Sequence, residues 1–162
     1  MSNGERQRLG ILSAWIKTGL IVGVSDGLFA SATGMLIAPR VTPLRVFRGV
    51  ASVLLGKEAL NGGLTPGLIG ILMHFGVAFF WSGLFIFALR NSAMLRDALQ
   101  SPMRALLVAA FYGMSIWLLM SLVVVPAMVH HGPTIGTKYW VQLVGHIAFV
   151  AMPMILANRR TV

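Results

Sequence analysis

Three ionisable side chains sit inside apolar runs, where such groups are costly: Asp26, His74 and His146. A carboxylate at the centre of a membrane-spanning helix costs about 2.5–3.5 kcal/mol on insertion scales, so groups of this kind face protein or water rather than lipid. Two imidazoles and a carboxylate suit iron, zinc or manganese, and two histidines on facing helices are also the axial pair of a b-type haem. The same set could instead pass protons, because imidazole titrates near neutral pH. A third outcome is packing alone, with Asp26 and one histidine holding helices in register. Tyr112 and Gln142 are the polar residues placed to support such a site from behind.

The elements that must position these groups can be read from the charge pattern. Between Pro66 and Leu89 there is no Asp, Glu, Lys or Arg, which at ~1.5 Å per residue is a helix of roughly 36 Å, long enough to cross a bilayer core of about 30 Å. Thr65 as cap and Pro66 as first helical residue predict its start. Gly67, Gly70, His74, Ala78 and Ser82 recur at spacings of three and four, so His74 lies on the small-residue face where helices approach closely. A first span is expected over 14–37, closed by Pro39, after a loose polar arm that carries Glu5, Arg6 and Arg8. On it Gly19, Gly23, Asp26, Ala30 and Thr33 align, and Gly19 with Gly23 forms a GxxxG contact. A signal peptide is rejected, since the apolar run continues past Ala30–Ala32 and Asp26 interrupts it.

Two further spans are expected, at 103–125, ended by Pro126, and at 138–158, ended by Arg159 and Arg160. Lys138, Gln142, His146, Phe149 and Pro153 share a face of the last one, where Pro153 frees the carbonyl of Phe149. Segment 44–60 is too short in apolar residues to span. It reads as an interfacial or re-entrant helix docking through Arg45, Gly49, Ser52 and Gly56. The expected fold is an all-α integral membrane protein, a single bundle over 1–162 of four transmembrane helices plus that short helix.

Composition agrees and removes other classes. The 162 residues are 57% hydrophobic and only 10% charged, far from a soluble domain. With no cysteine, disulfides and thiolate metal sites are excluded. The net charge of +9 does not point to nucleic acid, because the basic residues stand at the ends of apolar runs, where they anchor helices to headgroups. Eight Lys and Arg lie on the side of the termini and five on the other, which predicts both termini in the cytoplasm. The methionines form no MxxM array, His130 and His131 read as a solvated loop, and Trp15, Tyr139 and Trp140 read as interface anchors. No phosphate loop, serine triad or HExxH is present, so an enzyme is not favoured.

Depth can then be counted. In this topology His74 and His146 each lie eight residues inward from Pro66 and Lys138, roughly 12 Å, and Asp26 lies eleven from Ile37, roughly 16 Å. All three fall within about one helical turn of a common level, which predicts a shared polar site of Asp26, His74 and His146.

Gly49, Ala51, Ser52, Leu54, Leu55, Gly56, Ala59, Gly62 and Gly63, followed by Leu68, Gly70, His74, Phe75 and Ala78, form a distinctive run. With Tyr112–Gly113, the exit from Val123 to Pro126, His146 and Pro153, the chain resembles a family of small four-span bacterial inner-membrane proteins. The resemblance implies the architecture and the membrane, and attaches no activity. Ser121 stands where it leads one to expect asparagine. The leading expectation is a buried Asp/His site that binds a metal ion or haem or handles protons. The alternatives are an accessory subunit packing on a membrane partner or on itself, and a proton-linked small-solute transporter acting as an oligomer.

Overall fold

The computed structural model describes residues 2–38 and 40–159, where every regular element is a helix. Pro39, expected to close the first span, and Arg160, expected to close the last, lie outside the described residues. Four helices are long and apolar enough to cross a membrane: α1 (Asn3–Ile37), α3 (Leu64–Asn91), α5 (Pro102–Val129) and α6 (Thr137–Asn158). Between them lie α2 (Pro43–Leu55), a 3-10 turn (Lys57–Asn61) and α4 (Ala93–Gln100). The protein is an all-α, multi-pass membrane protein.

The helix ends differ from expectation for local reasons. The N-terminal arm is not loose. Ser2 and Glu5 form a reciprocal capping box, Ser2 N–H donating to Glu5 Oε2 at 2.6 Å and Glu5 N–H to Ser2 Oγ at 3.2 Å, so α1 starts at Asn3. Helix α3 begins after Gly63, not at a Thr65 cap. Its last carbonyls, which no helical N–H can reach, are met by Arg96, which donates to Leu89 O and Arg90 O at 2.9 and 2.8 Å. The polar link after Arg90 is itself helical, capped by Ser92 and seated by Leu99, which is fully buried.

Pro126 does not end its span. The turn before it, Met120–Val124, widens to a π-helix in which Val125 N–H reaches back to Met120 O, and the chain continues helically to Val129. His130 then stops it with φ 58°, its N–H on Pro126 O at 2.8 Å. Pro153 is accommodated the same way, by a π segment over His146–Ala151 with Met152 N–H on Ile147 O. A proline has no N–H and crowds the preceding turn, and a wide turn relieves both problems without breaking the rod.

Glycines set how the rods pack. Along α1 against α3, Gly83 lies under the indole of Trp15, Gly19 under Phe79, Gly23 under Phe75 and Gly27 under His74, an antiparallel seam of rings on bare backbone. Trp15 closes one end by donating from Nε1 to Phe79 O at 2.8 Å. Helix α6 lies on the other side of α1, where Gly145 receives Phe29 and where Asn158 Nδ2 donates to Thr18 Oγ1 at 2.9 Å. Helix α5 packs on α6 through Gly113, which faces the backbone of His146 and Ile147. It meets α3 through Tyr112, whose hydroxyl donates to Trp81 O at 2.9 Å. The apolar core, with Phe85, Leu99, Met154 and Ile155 at its centre, fills the space between these four helices and α4.

Helix α2 docks on α1 and α3, but not by the expected face. Arg45 is exposed, and a side chain added at Gly49 would meet only open space among the described residues. The contacts are made by Leu44 on Gly67, the Phe47 backbone on Gly70 and Val46 on Gly34, with Ala51 fully buried. Apolar bulk inserted over glycine buries more surface than a face of small and charged residues could.

Candidate functional site

Asp26 and His74 meet across the α1–α3 seam. Asp26 is eleven residues from the end of α1 and His74 ten from the start of α3, about 16 and 15 Å along their helices at ~1.5 Å per residue. Because Gly27 has no side chain, the imidazole can lie against α1, with a Cβ there falling 3.3 Å from His74 Nε2. The ring reaches through to Gly23 O, 2.9 Å from Nε2. A carbonyl only accepts, so Nε2 carries hydrogen, and the tautomer is assigned from that partner.

The other ring nitrogen is thereby turned to Asp26. Nδ1 lies 3.9 Å from Asp26 Oδ2, beyond hydrogen-bond reach, and the side chains are 12% and 18% exposed. Among the described residues, Asp26 Oδ1 is buried with no partner. Phe47 from α2 and Phe75 from α3 meet the imidazole edge-on, ring centres 5.5 and 5.7 Å away. In a neutral imidazole of this tautomer, a bare lone pair on Nδ1 faces a carboxylate. One added proton, on either side, converts that opposition into an attraction. Phe47 was invisible as a site residue in sequence, since only the docking of α2 brings it here.

His146 does not join them. Its Nδ1 donates to Gln142 O at 2.8 Å on its own helix, and its ring lies 4.8 Å from that of Trp117. Tyr112 is spent on Trp81 O in the core. Among the described residues no three His, Cys, Asp or Glu side chains are grouped to hold a metal ion. The three-ligand site expected of Asp26, His74 and His146 is therefore not assembled, and both ring nitrogens of His74 are already directed, one to Gly23 O and one to Asp26. Equal depth placed the groups at one level, but the direction each helix face points separates them.

A second locus adjoins His146 through Trp117 and Gln142. A cavity of about 250 Å³ opens between the wide turn of α5, the start of α6 and the loop joining them, lined among others by Trp117, Ser121, Lys138, Tyr139 and Gln142. Tyr139, expected as an interface anchor, is buried and shares a hydrogen bond of 3.1 Å with Ser121 Oγ. The residues expected to pack helices lie at contacts: Gly19 and Gly23 on α3, Gly67 and Gly70 on α2, and Ala78 in the core. Missed in sequence were Thr18 and Asn158, both buried and bonded to each other. Residue counting gave no signal for them, since Asn158 ends its helix and Thr18 lies fifteen residues into α1. Compared with family models, curated proteins and solved structures, the chain finds no match in any of the three.

Proposed function

We propose that this protein handles a proton inside the membrane, at the Asp26–His74 pair. The observation that carries the reading is the directed imidazole: Gly23 O holds hydrogen on Nε2, which leaves Nδ1 facing a carboxylate that has no other partner on its second oxygen. Such a pair is complete only with one proton, and a side chain of each sign within a span is a standard element of proton relays. The metal-ion and haem readings fall behind, because they need His146 as well. The distribution of Lys and Arg and the family resemblance support a bacterial inner membrane with both termini cytoplasmic.

The test is a pH-difference infrared spectrum of the protein in lipid. A carboxyl band and an imidazole band are expected to change together in the wild type. In Asp26→Asn the carboxyl band disappears, and in His74→Gln, which keeps a donor for Gly23 O, both are lost while the helices stay assembled. A wild-type spectrum with no coupled change across the accessible pH range overturns the reading. It would leave the pair as a lock between α1 and α3, the structural reading that the Trp15–Phe79 bond and the ring-on-glycine seam favour.

A further inference from the structure

The cavity at the mouth of α5 and α6 is built from residues that the Asp26–His74 pair does not use. Much of its wall is apolar, from Met120, Val125 and Pro126, and its polar groups are few. Gln142 is 8% exposed and lines the space, yet among the described residues its side-chain amide makes no hydrogen bond; its backbone carbonyl is what His146 engages. The amide keeps accessible surface on a residue that lines the cavity, and is free to bond a ligand there. The indole N–H of Trp117, a residue of the same wall, is buried and has no hydrogen bond among the described residues, a cost of about 1–3 kcal/mol. Ser121 and Tyr139 share a single hydrogen bond, so one of their two hydroxyl hydrogens remains for another acceptor. Lys138 adds a cation, and the lining contains no Asp or Glu.

The space is thus mostly apolar, with a few donors, a cation at its edge and no carboxylate among the described lining residues. We propose that it binds the anionic, acceptor-rich head of a small amphiphile, a carboxylate or phosphate on an apolar body. Lys138 supplies the charge, and Gln142 and the Ser121–Tyr139 pair supply the hydrogen bonds. His146, by bonding to Gln142 O and packing on Trp117, fixes two residues of the wall. The wide turn Met120–Val124 is part of the same construction, because it lets the helix run on through Pro126 while Ser121 reaches Tyr139, and π-bulges are frequent at functional sites. At about 250 Å³ the cavity is smaller than the usual pocket for a drug-sized ligand, roughly 300–1,000 Å³, so a short-chain molecule fits, or only the head of a longer one.

The two sources of that chemistry, a free carboxylate and a bilayer lipid, are separated by experiment. The full chain is placed in nanodiscs and the Trp117 indole N–H resonance, assigned by its loss in Trp117→Phe, is followed. One arm titrates octanoate into phosphatidylcholine discs, and the other replaces part of the phosphatidylcholine with phosphatidylglycerol without octanoate. A saturable shift in the first arm alone identifies a free carboxylate, and a shift in the second, with or without the first, identifies a lipid head. Lys138 is exposed, so Lys138→Glu keeps the fold. It is expected to weaken binding about tenfold or more, the loss of a charge-assisted bond, and Gln142→Leu to weaken it by a similar factor. No saturable shift in either arm overturns the proposal, as does a shift left unchanged by both substitutions.

Discussion

His74 and His146 each give one ring nitrogen to a backbone carbonyl, and the difference between the carbonyls decides what each can do. The acceptor for His74 is on another helix, so the bond crosses the α1–α3 seam, selects the Nε2–H tautomer and turns Nδ1 toward Asp26. The acceptor for His146 is Gln142 O, four residues back on its own helix, so the bond selects the opposite tautomer and fixes the ring beside Trp117. One histidine faces a carboxylate across a helix seam and the other holds its neighbours. Residue type alone does not assign a role to a histidine inside a membrane; the position of its backbone partner does.

The comparison can be broken by substitution. The largest effect is expected at the seam, at a pH where the pair holds its proton: His74→Ala leaves Asp26 buried without its partner and should lower stability in lipid by about 3 kcal/mol. Adding Asp26→Asn should restore more than half of that. His146→Ala, which strands no carboxylate, should cost only about 1 kcal/mol by the same reversible unfolding assay. Equal losses at the two histidines would remove the distinction.

Glycines sharpen the contrast by reversing it. A Cβ at Gly113 would fall 2.7 Å from His146 O and 2.8 Å from Ile147 Cα, atoms that cannot move aside, whereas at Gly23 it would meet the rim of the Phe75 ring. Gly113→Ala is therefore expected to destabilise by about 2 kcal/mol and Gly23→Ala by about 1 kcal/mol, within the range for overpacking. The smallest effect is at the end of the seam. Trp15→Phe keeps the ring on Gly83 but loses the bond to Phe79 O, a cost of about 0.5–1 kcal/mol, readable as a small shift of the unfolding midpoint.

The spans were legible because charge-free runs of this length have few alternatives, and the meeting of Asp26 with His74 was legible because depth and small-residue faces agreed. The rest was not, for reasons of geometry. Counting residues from a membrane surface gives height but no direction around the helix axis, so it did not announce that His146 turns to Gln142 O and Trp117. The two π segments carry an extra residue, and each additional residue turns the remainder of its helix by about 100°, which no alternation of apolar positions announces. Pro126, read as a stop, and Pro153, read as freeing the Phe149 carbonyl, are the visible trace of those turns. The Ser2–Glu5 spacing was a legible helix start, overshadowed by the polar character of the arm.

Helix α1 runs without a break from its cap at Ser2 past Asp26. At ~1.5 Å per residue the carboxylate lies about 34 Å from Asn3 along one stiff rod, and the rod is longer than the hydrocarbon layer it crosses. The first turns and the buried acid are therefore rigidly joined, and a probe placed near Ser2 would report, from several nanometres away, any tilt of the rod at Asp26.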